Sequence, residues 1–279
     1  MTIPAKAFEY YLQGFRLHSL MTKKGNAQAQ EMFKQATKED PKFARAYGHL
    51  AYTRLMGWLS GWIPSSAPPA DLRTLADKAV KVGGADYDNL WSKAGVYFYT
   101  AKFQPNPNAA FREGFDLFDQ ALEAAPKDAI DFNLDGLRVD IADAKFFAGA
   151  NGLADINQAI KTIQTAIDRL NPDYPRRFLW SLGWAYYERA YFTEKKDDYI
   201  KSLDALLQIS NPTDTILKNI IASKAALGWT APAQRLAREF RARNPDYTLA
   251  LEERWPYRDA KRLRRWQSHL GSSSLASKG

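Results

Sequence analysis

The stretch Ala29-Gln-Glu-Met-Phe-Lys-Gln-Ala-Thr-Lys-Glu-Asp-Pro41 has a simple internal spacing. A small residue is followed by a bulky one four positions later, by a second small residue three positions after that, and by a proline five positions further on. Residues at the first two spacings lie on one stripe of an α-helix, whereas the proline cannot continue that helix. The stretch therefore predicts the second helix of a helical hairpin, with a new hairpin starting near the proline.

The same spacing returns further along the chain, which indicates an internal repeat. The related stretches are Gly114, Phe118, Ala121 and Pro126; Ala233, Ala237, Phe240 and Pro245, with the last small and bulky residues exchanged; and Ala159, Ile163 and Ala166, with Pro172 one residue late. Hairpins of this kind cannot bury their apolar faces alone and must stack on neighbours. The sequence thus predicts an all-α array of about six helical hairpins.

The first helix of each predicted unit also carries bulky and small residues at fixed places. Examples are Tyr10 and Gly14 in unit one, Tyr47, Leu50 and Ala51 in unit two, Trp91, Ala94, Gly95 and Phe98 in unit three, and Leu179, Leu182, Gly183 and Tyr186 in unit five. Together with the second-helix spacing, these residues resemble the tetratricopeptide repeat (TPR) family over roughly residues 5–246. The resemblance implies a right-handed superhelical array that binds partners and performs no catalysis.

The repeat pattern stops after Pro245, and the remaining residues have a different character. Leu263, Trp266 and Leu270 form an apolar stripe at helical spacing, which predicts a helix that caps the last hairpin. We therefore expect a solenoid over residues 1–246, a cap segment over 247–270 and a flexible tail over 271–279.

The segment 244–266, with its Pro-Tyr-Arg-Asp core at residues 256–259, is similar to the end of the repeat regions in bacterial class III adenylate/guanylate cyclases and related one-component regulators. The opening residues 7–14 and the Trp-rich insert of unit two resemble the same regions. In that family the repeats are the non-catalytic half, to which sensing or protein contact is attributed. The resemblance implies a regulatory module in bacterial signalling, and the cyclase domain itself is absent from this sequence.

Composition limits the class of protein. A hydrophobic content of 46%, with eight Trp, is enough for a substantial core. No apolar run reaches the roughly eighteen residues of a membrane span, and the first residues do not form a secretory signal, so we expect a cytoplasmic protein. Without cysteine the chain has no disulfide and no thiolate nucleophile or ligand.

The net charge of +8 is unevenly distributed, because residues 241–279 contribute +5 of it. Six cations between Arg254 and Arg265 raise the possibility of phosphate contacts with nucleic acid. No base-reading motif accompanies them, and capping helices are often highly charged. Nucleic acid is therefore an unlikely partner.

Candidates for catalysis or metal binding are weak. The three histidines, His18, His49 and His269, do not have the spacing of metal ligands, and no phosphate-binding loop is present. A group of aspartates falls in unit four, and we interpret it mainly as solvated helix charge, with a cation or basic peptide as the alternative. Its members are Asp128, Asp131, Asp135, Asp140 and Asp143. We expect no enzyme activity, no cofactor and no metal site.

The resemblance to TPR arrays implies where a partner binds, namely on the concave face lined by first-helix positions 2, 5, 6, 9 and 12. The candidate residues are Arg45, His49 and Tyr52 in unit two, Asn89, Lys93 and Tyr99 in unit three, Asn133 and Asp140 in unit four, and Arg177, Trp180, Trp184 and Tyr187 with the neighbouring Glu188 in unit five. Aromatic residues and Arg commonly anchor interfaces. Arg45, Arg177, Trp184 and Tyr187 are the preferred candidates for binding a protein or peptide.

Two interpretations stay open for the aromatic residues. Trp180 and Trp184 are four residues apart and therefore also fit a packed core, and the same holds for Trp58 and Trp62 in the long insert of unit two, where a binding edge is the alternative. The competing functions are a small-molecule sensor, in which aromatic side chains enclose a ligand, and a self-assembling scaffold. The fold alone selects none of these.

Overall fold

The computed structural model describes residues 3–126, 132–149 and 151–275, and the described chain is helical without any strand. Its α-helices are α1 Ala5–Ser19, α2 Lys23–Glu39, α3 Ala44–Leu59, α4 Leu72–Gly83, α5 Tyr87–Tyr99, α6 Pro107–Ala124, α7 Phe132–Ala148, α8 Leu153–Leu170, α9 Arg176–Thr193, α10 Lys196–Leu206, α11 Asp214–Ala226, α12 Thr230–Arg243 and α13 Ala260–Ser272. Two 3-10 helices, Ala101–Phe103 and Leu249–Arg254, complete the described elements.

Local sequence signals start several of these helices. The side chains of Thr22, Asp86 and Asn106 each accept a hydrogen bond from a backbone N–H in the first turn of α2, α5 and α6. Such caps satisfy donors that have no partner inside the helix. Gly84, with a φ of 81°, ends α4 in a conformation that suits glycine.

Consecutive helices pair as the repeat predicts. Within the described residues α1 packs on α2, α3 on α4, α5 on α6, α7 on α8, α9 on α10 and α11 on α12. The prediction of an all-α array of about six helical hairpins is therefore confirmed. Neighbouring hairpins stack through contacts such as α2 with α3 and α3 with α5.

The small residues of the repeat allow close approach of the paired helices. A Cβ atom added to Gly14 would lie 2.8 Å from the Phe33 ring, and one added to Gly114 would lie 2.9 Å from Cα of Phe98. Both distances are shorter than packed atoms tolerate. The spacing of small and bulky residues therefore sets the distance between the two helices of a hairpin.

The chain divides into two compact units, Met1–Ala129 and Ile130–Gly279. The first unit contains α1 to α6, and the second contains α7 to α13. The solenoid and cap boundaries expected from the sequence stay predictions.

The capping helix exists, but its buried face differs from the expected one. α13 packs on α11 and on the 3-10 helix Leu249–Arg254. Trp266 and Leu270 are buried as predicted, whereas Leu263 is half-buried and Arg262 is buried in its place. Arg262 is buried because the buried carboxylate of Glu188 on α9 pairs with it.

The Trp-rich insert of unit two is partly core. Trp58 is fully buried, its Nε1 donates to the carbonyl oxygen of Ser65 at 3.0 Å, and the ring of Phe103 packs edge-on against it. Trp62 is half-buried in the turn that follows α3. For Trp58, packing is thus the correct interpretation and a binding edge is not.

Candidate functional site

The candidate residues of α9 lie in the interior of the second unit. Trp180, Trp184, Tyr187 and Glu188 are all buried, with exposed fractions from 0% to 7%. They are covered by the segment that contains the 3-10 helix Leu249–Arg254 and α13, which we call the closing segment (residues 249–275). For Trp180 and Trp184 the core interpretation is therefore the one that the structure supports.

Aromatic rings form the apolar part of this contact. The ring of Trp184 lies 4.7 Å from that of Trp255 and 5.4 Å from that of Trp266, measured between centroids, and 4.8 Å from that of Phe147 on α7. Its Nε1 donates to the hydroxyl of Tyr257 at 3.1 Å. Three large rings and one tyrosine hydroxyl thus contact a tryptophan that the sequence predicts on the inner side of α9.

A buried ion cluster lies beside these rings. Glu188 accepts hydrogen bonds from the hydroxyl of Tyr257 at 2.6 Å, from Nε of Arg262 at 2.9 Å and from Nη2 of Arg265 at 3.2 Å. Burial alone would raise the pKa of Glu188, but Arg262, Arg265 and Tyr257 together hold it below its usual value. Arg262 also donates to the carbonyl oxygen of Phe146, which ties α7 to the same cluster.

A second buried ion pair holds the closing segment to α11. Nζ of Lys218 lies 2.5 Å from Oε1 of Glu252, and both side chains are almost completely buried. Glu252 also accepts from the hydroxyl of Tyr247 and from Nε1 of Trp266. In the predicted repeat register Leu217 takes position 4 of unit six. Lys218 therefore takes position 5, one of the predicted concave-face positions. In the second unit the predicted binding face is therefore occupied by the chain's own closing segment.

The closing segment therefore covers residues that the sequence predicts as a partner-binding site. Trp184 and Tyr187 offer no surface to a partner in this structure, because Trp255, Trp266 and His269 already contact them. The sequence predicts these side chains on the inner face, but it does not identify what covers them. A partner contact by Trp184 or Tyr187 would require the closing segment to leave.

The aspartates of unit four are paired instead of solvated. Asp135 binds Arg138 and Arg169, Asp140 lies 2.5 Å from Nη1 of Arg177, and Asp143 accepts from the hydroxyl of Ser181. Burial, followed by the neighbouring Asp140 carboxylate, raises the pKa of Asp143 well above its usual value. The interpretation as solvated helix charge was wrong for these three carboxylates. Asp128, Asp131 and the side chain of Asn133 lie outside the described residues.

Much of the basic charge near the end of the sequence is also used internally. Arg254 and Arg262 are buried, Arg265 binds Glu188, Arg243 binds Asp214, and Arg241 donates to the carbonyl oxygen of Leu275. Arg241, Arg262 and Arg265 join the closing segment to the hairpins, whereas Arg243 joins α12 to α11. The excess of +5 in residues 241–279 is consequently a poor indicator of nucleic acid binding.

In the first unit the candidate residues are divided between rim and interior. Arg45 is exposed and lies 2.6 Å from Asp88, and Lys93 lies 3.0 Å from Asp77. Tyr52 and His49 are half-buried, whereas Asn89 and Tyr99 are buried. Helix α3 carries Arg45, His49 and Tyr52, and it contacts α1.

The sequence analysis missed an exposed apolar stripe on α1. Phe8, Leu12 and Phe15 have exposed fractions of 45%, 39% and 46%, and their spacing places them on one side of the helix. The ring of Phe15 lies edge-on to His49 of α3 at 5.6 Å. We call these four residues the aromatic face. The repeat register could have identified this face, because the predicted concave-face positions 2, 6 and 9 of unit one are Phe8, Leu12 and Phe15.

His49 contacts this face through Phe15 and is held in its neutral form. Its ring contacts those of Tyr11, Phe15 and Phe33. Burial, followed by the positive charges of His18 and Arg45, lowers the pKa of His49 to about 3. The aromatic face is therefore apolar at neutral pH.

This lowered pKa predicts acid sensitivity. The unfolded chain takes up a proton on His49 below about pH 6.5, whereas the folded chain does so only near pH 3, so the free energy of unfolding falls as pH drops between these values. In His49→Gln this contribution is missing. Urea unfolding at pH 7, 5.5 and 4.5 should show a shallower decline for the variant, and parallel declines would contradict the assignment.

The described residues contain neither a metal-binding group nor a membrane span. No group of three or more His, Asp or Glu side chains there is arranged to hold a metal ion, and no helix there is long and apolar enough to cross a membrane.

Comparisons with known proteins show no family for this chain. No protein-family model matches the chain, and no curated protein matches it. Among solved structures, the TPR domain of P58(IPK) is similar to 96% of this chain over 90% of its own length, with 12% sequence identity and a TM-score of 0.31. The hairpin architecture consequently rests on the helix packing described above.

Proposed function

We propose that the chain is a non-catalytic protein-binding module whose first unit binds an apolar segment of a partner protein on the aromatic face. The observation that carries the proposal is the exposure of Phe8, Leu12 and Phe15 beside His49. Single exposed apolar residues are common, but several on one stripe next to an aromatic helix face are typical of interaction sites.

The packing of the second unit supports an apolar peptide segment as the ligand of the aromatic face. There the equivalent inner face of α9 is covered by Trp255, Tyr257 and Trp266 of the closing segment. Such hairpin faces in this chain therefore accept apolar and aromatic side chains presented by a short segment. The aromatic face has the same position on its hairpin, and a partner segment of the same chemistry fits it.

The size of the stripe favours a short segment over a second copy of the chain. Three half-exposed side chains, together with the half-buried His49 ring, provide on the order of a few hundred Å² of surface. A stable dimer buries about 800 Å² on each partner. A peptide that inserts two or three apolar side chains is the better match.

Charge plays a small part in this recognition. His49 is neutral, and the nearest cation of α3, Arg45, is already paired with Asp88. We therefore expect an affinity that depends little on salt, since apolar burial is not screened. The resemblance of the sequence to repeat regions of bacterial cyclases supports a regulatory role in signalling for this module.

Selection of a random peptide library on the intact chain tests the proposal. We expect enriched peptides with aromatic or aliphatic residues at helical spacing. The double variant Phe8→Asp/Phe15→Asp should weaken their binding by about tenfold or more, because two buried rings contribute at least a few kcal/mol. Isothermal titration of a synthetic enriched peptide measures this loss.

A matched control separates this site from general stickiness. Leu207, the residue after the end of α10, is 59% exposed, so Leu207→Asp removes an exposed apolar side chain elsewhere and should leave peptide affinity unchanged. Equal binding by the intact chain and the double variant would exclude the aromatic face. A mass that rises with concentration and falls in the double variant would instead favour self-association.

A further inference from the structure

A cationic cleft lies between α7 and α8 in the second unit, away from α9 and its closing segment. Its volume is about 200 Å³, and its lining includes Arg138, Lys161 and Arg169 together with Asp135. Three positive side chains from two helices thus line one cleft together with one carboxylate.

The two arginines are fixed by that carboxylate. Nη1 of Arg138 lies 2.9 Å and Nη1 of Arg169 lies 3.0 Å from the same oxygen, Oδ1 of Asp135. The Asp135 side chain is only 2% exposed, whereas the two arginine side chains are 35% and 39% exposed. A buried anchor therefore holds two solvent-accessible guanidinium groups side by side.

The charges of the cleft do not balance within the described residues. Asp135 supplies one negative charge, and no second carboxylate among those residues is paired with Arg138, Lys161 or Arg169. Neighbouring cations repel one another, and an anion that bridges them removes this repulsion. Each guanidinium has further N–H donors besides the nitrogen that contacts Asp135.

We infer that this cleft binds a phosphoryl group, with Arg138 and Arg169 as paired donors and Lys161 as the third cation. A phosphate monoester carries about −1.5 to −2 charges at pH 7 and three acceptor oxygens, which suits an imbalance of two positive charges. Planar guanidiniums recognise such oxygens through paired hydrogen bonds, and prior orientation by Asp135 lowers the entropy cost of binding. This site is independent of the aromatic face.

Titration calorimetry with inorganic phosphate tests this inference, using chloride at equal ionic strength as the reference. We expect saturable binding that is weakened about tenfold or more in Lys161→Gln, because one charge-assisted contact is lost. Lys161 takes no part in the bridges to Asp135, so this variant keeps the tether between α7 and α8. Arg138→Gln should give a similar loss, while Arg235→Gln, an exposed cation of α12, serves as the control and should bind like the parent.

The source of the phosphoryl group is distinguished by a second arm. A phosphoserine tripeptide with blocked ends is compared with inorganic phosphate and with the unphosphorylated tripeptide. Tighter binding of the phosphoserine peptide assigns the cleft to a phosphorylated protein, and tighter binding of inorganic phosphate assigns it to a free phosphorylated compound. No saturable binding of either probe, or equal affinity in the parent, Lys161→Gln and Arg138→Gln, overturns the inference.

Discussion

Replacing Glu188 with alanine is expected to lower the free energy of unfolding by about 3–5 kcal/mol, the range found when one member of a buried ion pair is removed. The side chain is completely buried and receives hydrogen bonds from Tyr257, Arg262 and Arg265. Without it, two guanidinium groups of α13 remain in a poorly solvated region without their carboxylate. Urea unfolding monitored by circular dichroism measures the loss.

Two further variants show whether the charge is responsible. Glu253→Ala removes an exposed carboxylate of the closing segment and should change stability by no more than about 0.5 kcal/mol. Adding Arg262→Met to Glu188→Ala should recover part of the loss, because it removes one of the uncompensated cations. A loss below about 1 kcal/mol in Glu188→Ala would mean that water replaces the carboxylate and that the closing segment is held chiefly by its aromatic rings.

The second large effect is expected for Trp184→Ala, which should also cost about 3–5 kcal/mol. This tryptophan is 1% exposed and contacts rings from α7 and from the closing segment. Replacement by alanine leaves a cavity that the surrounding rigid rings cannot fill. The Tyr257 hydroxyl also loses its hydrogen-bond donor, Nε1 of Trp184. Thermal unfolding followed by tryptophan fluorescence measures the change.

This outcome separates a core role from a purely surface role. Viewed as a groove residue, Trp184 could be replaced by alanine with binding lost and the helices intact. The packing predicts instead that the free energy of unfolding falls in Trp184→Ala. Trp184→Phe should lose less than half as much, because a ring still fills part of the space. An alanine variant with unchanged stability would restore the groove interpretation.

The sequence was a good guide to the fold because the relevant forces are local. Thr22 and Asn106 cap the starts of the helices that carry Phe33 and Phe118, the spacing around these two rings defines one helix face, and the prolines that follow end each unit. Each of these signals acts within about a dozen residues. Hairpins therefore follow from periodicity before any long-range contact is known.

The candidate site was harder to predict because it depends on distant pairing. The repeat register assigned Trp184 to the predicted inner face with Glu188 beside it, but their partners Tyr257 and Arg262 are 73 and 74 residues away. The sequence of α13 does not show that Arg262 is buried while Arg264 is solvated. This difference arises from the position of Glu188, which pairs with Arg262. The exposed stripe of α1 was missed for a different reason, because the mapped face began at unit two.

The long separation between α9 and the closing segment has a consequence for protein synthesis. Chains emerge from the ribosome from the amino end, and helical hairpins form from contacts that are close in sequence. The hairpins of the first unit can therefore complete themselves during translation. The inner face of α9 keeps Trp180, Trp184 and Tyr187 uncovered until some seventy further residues have been made. In that interval nascent chains expose an aromatic surface to chaperones, and a premature stop codon before residue 249 leaves it exposed for degradation.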